Sequence, residues 1–342
     1  MDVSYFLISL LNGLSVGLLL FMLASGLTLI FSMMGVLNFA HASFYMLGAY
    51  VAYTITVTTG SFWISLFLAP VLVGLAGAAF ERFALRRVHK FGHVPELLIT
   101  FGLSYILLEL VQLVWGRAAM NFQPPPQLQG PLFTIIQLPT GLSFGWGQPP
   151  EACKAVAGAV CTTFPQFRAF GMAIAVLMLV AVWLLFTRTR IGLVIQAALT
   201  HPETAEALGH NVPRVFMLVF GGGTALAGLA GVIGGALRVT EPSMALTVGA
   251  VVFAVIVIGG MGSLAGAFVA SVLLGVIESF AVGSDKSLAD LFAWFGAQVS
   301  PQTFGYAVWS VKVSQVAAIL PFMLLVLILI FRPKGLLGTR ED

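Results

Sequence analysis

Charge is what this sequence has least of: Asp, Glu, Lys and Arg together make up 8% of its 342 residues, about a third of the share in a soluble domain. A water-facing surface of ordinary size is therefore excluded. The net charge of +3 is too small to hold a nucleic acid. Cysteine occurs only at Cys153 and Cys161, and nothing in the chain has the ligand spacing of a zinc site. No G-x-x-x-x-G-K-[ST] stretch is present, so the chain lacks the usual cradle for ATP phosphates, and no H-E-x-x-H stretch is present either. His41 and Ser43 stand two positions apart, so on one helix they point to different faces and do not make an intramembrane hydrolase. No catalytic residue, cofactor or metal is expected in this chain.

Apolar sequence fills the space that charge leaves. Hydrophobic residues make up 59% of the chain, and runs long enough to cross a bilayer, roughly 20 residues each, recur near 5–32, 43–59, 62–82, 95–115, 168–187, 214–237, 246–259, 264–282 and 308–331. The pattern is that of an all-α, polytopic integral membrane bundle of about 8 to 10 helices, one transmembrane domain over 1–342. The first run has no basic leader and no small-residue cleavage site, so no cleavable signal peptide is expected. Arg82, Arg86, Arg87 and Lys90 share one loop, Arg188, Arg190 and Arg214 border another, and Arg332, Lys334 and Arg340 sit in the tail, 332–342. With nine spans these three segments lie on one face, which the positive-inside rule makes cytoplasmic, together with the carboxyl terminus. The opposite face receives an insertion, 117–168, with the Pro-rich QPPPQLQGP. If that face meets an oxidising compartment, Cys153 and Cys161 are candidates for a disulfide, the alternative being two free thiols.

An internal echo runs through the chain. A shift of 227 positions superposes Met34, Gly35, Leu37, Ala40, Leu47 and Gly48 on Met261, Gly262, Leu264, Ala267, Leu274 and Gly275. Transporters built from repeated halves show such a pseudo-two-fold pattern, although small residues also recur wherever membrane helices pack closely.

Polar residues inside apolar runs need shelter or a task. Asn38 and His41 are three apart and share a helical face that Tyr45 continues. That face either lines a passage, or hydrogen-bonds to neighbouring backbones and holds a broken helix together, or carries a pH-sensing imidazole. Glu109, one helical turn from Gln112, and Glu278 are further candidates for a pathway. On the basic face, 188–213 contains the signals of a short helix: Thr200 as a hydroxyl cap, Pro202 in the first turn, Glu203 at the positive dipole end, Ala205 and Leu208 as an apolar side, and Gly209 as the stop, with Arg214 beyond. A short amphipathic helix between two spans suits docking into a groove on a partner.

The segments LNFAHASFYMLGAY, LLITFGLSYILLELVQLVWG, HPETAEALGHNVPRV, VIGGMGSLAGAFVASVLLGVIES and FRPKGLLG stand in this order along nearly the whole chain. Together they resemble the H-type permease subunits of branched-chain amino acid ABC importers. That resemblance implies a heterodimer with an M-type permease in the bacterial inner membrane, two cytoplasmic ATPase subunits that hold ATP and magnesium, and a periplasmic binding protein that delivers substrate. It also implies that Thr200 to Arg214 contacts the ATPase. Ala42, Gln196, Ala245 and Val251 depart from the residues common in the family at those places. Similar proteins import branched-chain amino acids or other small solutes such as amides, urea and aromatic acids. A channel or secondary carrier working without ATPases is the other reading, and it would have no use for a docking segment. A sensory module would want an attached signalling domain.

Overall fold

The computed structural model describes residues 3–35, 38–138, 141–147, 153, 160–293, 296 and 302–338. Along the chain run helices α1 (Val3–Met34), α2 (His41–Thr59) and α3 (Phe62–Phe80), which passes through a π-helical turn, Glu81–Leu85, into α4 (Arg86–His89). Then come α5 (His93–Trp115), strands β1 (Pro131–Leu138), β2 (Gly141–Trp146) and β3 (Val160–Pro165), and helices α6 (Gln166–Arg188), α7 (Arg190–Thr200), α8 (Pro202–Ala207) and α9 (Val212–Leu237). The chain finishes with α10 (Met244–Gly259), α11 (Leu264–Val282), the short α12 (Leu288–Ala293), α13 (Tyr306–Trp309) and α14 (Val313–Val316), and α15 (Leu320–Phe331).

Among the described residues, 7 helical stretches are long and apolar enough to cross a membrane, and α10 is a shorter apolar helix. Helix α2 has 19 residues and is missing from that set, because His41 and several Thr and Tyr lower its hydropathy. It can afford them because it is packed in protein, with Phe44, Tyr45, Met46, Ala49 and Tyr50 at most 1% exposed. With α2 and α10 included, helices stand at all nine expected places.

Helix α1 is the centre of the bundle: 83% of its most apolar window is buried, against 17% for α5. Small residues make that burial possible. A Cβ on Gly13 would stand 2.6 Å from Val276 Cα, and one on Gly17 2.8 Å from Val272 Cα, so α1 and the antiparallel α11 touch backbone to backbone. In lipid, where apolar contact alone gives helices little reason to associate, such close packing supplies much of the attraction. Helix α9 does the same against α2, where a Cβ on Gly231 would meet the Tyr45 carbonyl oxygen at 2.1 Å.

The insertion is partly a sheet, which the sequence reading did not include. Strand β1 is central, with β2 and β3 antiparallel on either side, in the register Phe133 to Trp146 and Phe133 to Phe164. Ile135 and Phe164 pack with Ile8 over the start of α1, and Ser4 Oγ donates to Gln137 Oε1 at 2.7 Å. The sheet thus lies at the end of the molecule where α1 begins. Cys153 and Cys161 are joined as a disulfide with Cα atoms 6.1 Å apart. At the other end lie the turns rich in Lys and Arg: Arg86 Nη2 donates to Pro213 O at 2.6 Å, and Leu336 N donates to Ile258 O at 2.8 Å. Arg340 lies outside the described residues.

The echo has a backbone counterpart. Gly35 (φ 65°) and Gly262 (φ 86°) are both left-handed, and each stands where one helix has just ended and the next is about to start. Glycine adopts that conformation at no steric cost, so the same device breaks the helix at both places.

Candidate functional site

After α1 ends at Met34, the chain turns at Gly35 and the next helix does not start until His41. Asn38 organises this break. Its Oδ1 accepts from Ala40 N at 3.1 Å and its backbone carbonyl accepts from His41 N at 3.1 Å, so side chain and main chain together aim α2. His41, the first residue of α2, reaches back into α1 and donates from Nε2 to Leu23 O at 3.0 Å. A carbonyl only accepts, so Nε2 carries a proton, and in the neutral ring Nδ1 then carries a lone pair. Gly26 leaves room for the ring, since a Cβ there would be 3.0 Å from His41 Cε1.

Two buried polar atoms are left without a protein partner at this break: Asn38 Nδ2, a donor, and His41 Nδ1, an acceptor. Both residues line a cleft of about 370 Å³ between α1, α2, α5, α10 and α15. That is the lower part of the range for small-ligand pockets. The cleft walls are aromatic. Phe39 stacks on Phe253 with centroids 6.4 Å apart and meets the edge of Phe101 at 6.2 Å, and Phe101 continues to Tyr105 at 5.0 Å. No Asp, Glu, Lys or Arg lines it. On one flank Phe39, Phe101 and Tyr105 are about half exposed, so the cleft is open to the side.

The other pathway candidates lie elsewhere. Asn38 sits in the turn before α2, and Tyr45, one turn inside it, faces α9: a Cβ on Gly234 would be 2.2 Å from its hydroxyl. Glu109 is exposed on α5, Gln112 and Glu278 are half-buried, and none of the three lines the cleft. The structure therefore brings together Asn38 and His41 but not Tyr45, Glu109, Gln112 or Glu278. What the sequence reading missed is the aromatic wall. Its signal was present as single Phe and Tyr residues in three separate runs, with nothing local to relate them.

At the basic end, α7 and α8 pack on the first turns of α9 through Ala198, Ala205 and Val212, with Val215 and Phe216 beside them. Two details differ from expectation. The residue capping α8 is His201, and the Thr200 hydroxyl instead donates back to Gln196 O at 3.1 Å, because α7 runs helically through Thr200 and uses that hydroxyl itself. Ala205 is buried in the internal cluster, so it seats α8 and does not face outward. The other signals act as read: Pro202 is in the first turn with Glu203, and Gly209 (φ 87°) closes the helix with Gly209 N to Glu206 O and His210 N to Ala205 O, a Schellman stop. Pro202, Glu203, Leu208 and Arg214 point to solvent, and the Asn211 side chain caps α9 on Arg214 N. Leu208 is 74% exposed, and Ile191 and Leu193 on α7 are also bare.

Two buried carboxylates near this end were not foreseen. Glu81 receives both Nε and Nη2 of Arg86, at 3.1 and 2.6 Å, and Glu96 receives His89 Nδ1. Two G-x-S-x-G spellings also occur, Gly13 to Gly17 inside α1 and Gly141 to Gly145 inside β2. Neither is on the strand-to-helix turn that a nucleophilic serine needs, so neither is an esterase elbow.

A bundle of membrane-length helices, broken at glycines around an uncharged cleft, is the architecture of a solute permease. The chain belongs to the family described as the permease component of branched-chain amino acid transport systems, which it matches over residues 9–329. It is a transport permease subunit. It is 28% identical to the high-affinity branched-chain amino acid transport system permease protein BraD of Pseudomonas aeruginosa over 99% of this chain and 98% of that one. It is 28% identical to the permease protein LivH of Escherichia coli K12 over 98% and 97% of the two chains, and to the probable LivH of Methanocaldococcus jannaschii over 76% of each. No solved structure matches it.

Proposed function

We propose that this chain is the H-type half of a heterodimeric passage for a small zwitterion with an apolar side chain. An M-type permease would close the cleft's open flank, and two cytoplasmic ATPase subunits would drive alternation. A periplasmic binding protein would deliver the solute on the side of the sheet. The observation that carries this reading is the pair of unpartnered atoms at the break. Asn38 Nδ2 offers a hydrogen to a carboxylate and His41 Nδ1 offers a lone pair to an ammonium, while Phe39 and Phe253 offer faces to an aliphatic group. With no charged residue in the cleft, the hold is weak, which suits passage rather than capture. A branched-chain amino acid satisfies every part of this description, and it is what the relatives' names state that they transport.

The test is to purify the chain from its native membrane, identify what accompanies it by mass, and reconstitute the complex. A second permease of the same family, two ATPase copies and uptake of labelled leucine that requires ATP are expected. Leucine flux through the chain alone, without ATP, would instead establish a channel or carrier.

In this reading the basic end is cytoplasmic by the positive-inside rule, and the sheet end meets an oxidising compartment that sustains the Cys153–Cys161 bond. In intact cells with free thiols blocked, a membrane-impermeant maleimide should label neither cysteine until a reductant is added. Labelling only after permeabilisation would invert the topology.

A further inference from the structure

We propose that Glu96 is a positioning residue that locks the turn between α4 and α5, so that movement of the α7–α8 segment reaches the break at Gly35 and thereby Asn38. The proposal rests on the ATPase-driven reading above. Glu96 opens α5 with its side chain 0% exposed, and its two oxygens lie against different imidazoles. Oε1 accepts from His89 Nδ1, and the His89 ring meets Phe216 edge-on with centroids 6.5 Å apart. Phe216 packs on the Ala198, Ala205 and Val212 cluster beneath α7 and α8. Oε2 has no hydrogen bond and stands 3.5 Å from His93 Nδ1. The His93 ring in turn lies beside Gly35, 3.8 Å from where a Cβ on that residue would be.

A series of neighbouring groups therefore runs from the docking segment to Gly35, three positions before Asn38. A second tie runs beside it, where Arg86 Nη2 donates at 2.6 Å both to Glu81 Oε2 and to Pro213 O, in the first turn of α9. The π-helical turn at Glu81–Leu85 is what presents Arg86 to both acceptors, and such turns recur at functional positions. A buried carboxylate that is only half satisfied is a costly way to fill space, since a well-packed apolar side chain would serve packing at least as well. What the carboxylate adds is a fixed relation between two imidazoles that belong to different ends of the series.

The experiment uses the assembled complex in proteoliposomes and reads ATP hydrolysed per labelled leucine imported. Glu96→Ala and His93→Ala are expected to retain their ATPase subunits and to hydrolyse ATP within about twofold of the parent, while the ratio rises about tenfold and about fivefold respectively, the range of ordinary coupling between sites. Glu96→Gln, which keeps an acceptor for His89, should fall between the parent and Glu96→Ala. A merely structural role would lower hydrolysis and import in parallel and leave the ratio fixed, and that result overturns the proposal. If Glu96→Ala does not insert, His93→Ala decides alone, because the His93 side chain is 71% exposed and its loss leaves no cavity. Leu208→Asp separates the two readings. If it sheds the ATPase while the Glu96 and His93 variants keep the parental ratio, only the lock fails; if it keeps the ATPase, the docking reading has failed and the lock with it.

Discussion

Leu208→Asp should strip the ATPase subunits from the purified complex while leaving expression and membrane insertion intact. Leu208 closes α8 and is 74% exposed, with Ile191 and Leu193 bare on the neighbouring α7. Leu208 is the bare aliphatic side chain at the end of α8, and such a side chain suits the apolar centre of an interface. A residue at such a centre is worth about 2 kcal/mol or more, and an aspartate there adds the penalty of a buried, unpaired charge. A combined loss of about 4 kcal/mol would weaken association about a thousandfold. Folding should not suffer, because Leu208 is largely exposed and is no part of the Ala198, Ala205 and Val212 cluster, whereas Ala205, three residues earlier, is 2% exposed and holds α8 to α9. Ala205→Asp is therefore the contrasting variant, expected to fail at assembly of the chain itself. Retention of ATPase on purification and leucine-stimulated hydrolysis are the two measurements. A full complement of ATPase with normal stimulation in Leu208→Asp would end the docking assignment.

The helical bundle was legible because its physics is local. A run of about 20 apolar residues has few alternatives in a bilayer but a helix, and helix stands at each expected run, although 308–331 is divided among α13, α14 and α15. Helix α2 shows the limit of that logic. By hydropathy it falls short of the other spans, yet its burial excuses its polar residues, and burial is decided by partners far away in sequence. The α8 stop was readable for the same local reason, since only Gly209 takes the left-handed turn without strain. Its cap was misread because Thr200 had two acceptable uses and α7 took it.

The sheet was missed because β1 carries its signal in a mixed run, PLFTIIQL, in which Ile135 packs toward α1 while Phe133 stacks on Phe144 and Phe164 of the flanking strands. The cleft was half legible. An Asn and a His beside a glycine break announce a task, but Phe101 and Phe253 join Phe39 only through the crossing of α5 and α10 at the start of α2. No spacing rule relates residues 39, 101 and 253. Glu96 and its two histidines lay within eight positions and were still overlooked, since a carboxylate at the end of a span looks like a solvated terminus until its burial is known.

Separating the two parts of the break gives the second large effect. Asn38 uses Oδ1 to build the turn and keeps Nδ2 free, and His41 uses Nε2 to tie α2 to α1 and keeps Nδ1 free. Each residue therefore has a structural atom and an unpartnered one. Asn38→Asp retains the oxygen that accepts from Ala40 N but replaces the donor with a second acceptor. It should assemble, yet present a carboxylate with another acceptor where a hydrogen was available. Uptake of labelled leucine is expected to fall about a hundredfold, consistent with about 1–3 kcal/mol for an unsatisfied group plus like-charge repulsion. Asn38→Leu removes the turn's acceptor as well. Losing such a bond within a membrane protein costs about 1–2 kcal/mol, so this variant should fail earlier, in assembly, with the Ala40 amide orphaned beside α1. His41→Gln sits between them: its amide nitrogen can still donate to Leu23 O, and its oxygen is an acceptor displaced from the place of Nδ1. It should assemble normally and import leucine slowly, with KM raised more than the turnover rate is lowered, because the contact is to the bound solute. The order of these three variants is the test. If Asn38→Asp imports at the parental rate while Asn38→Leu fails to assemble, the break is structural alone and the solute passes elsewhere. If Asn38→Leu also assembles and imports normally, neither half of the assignment survives.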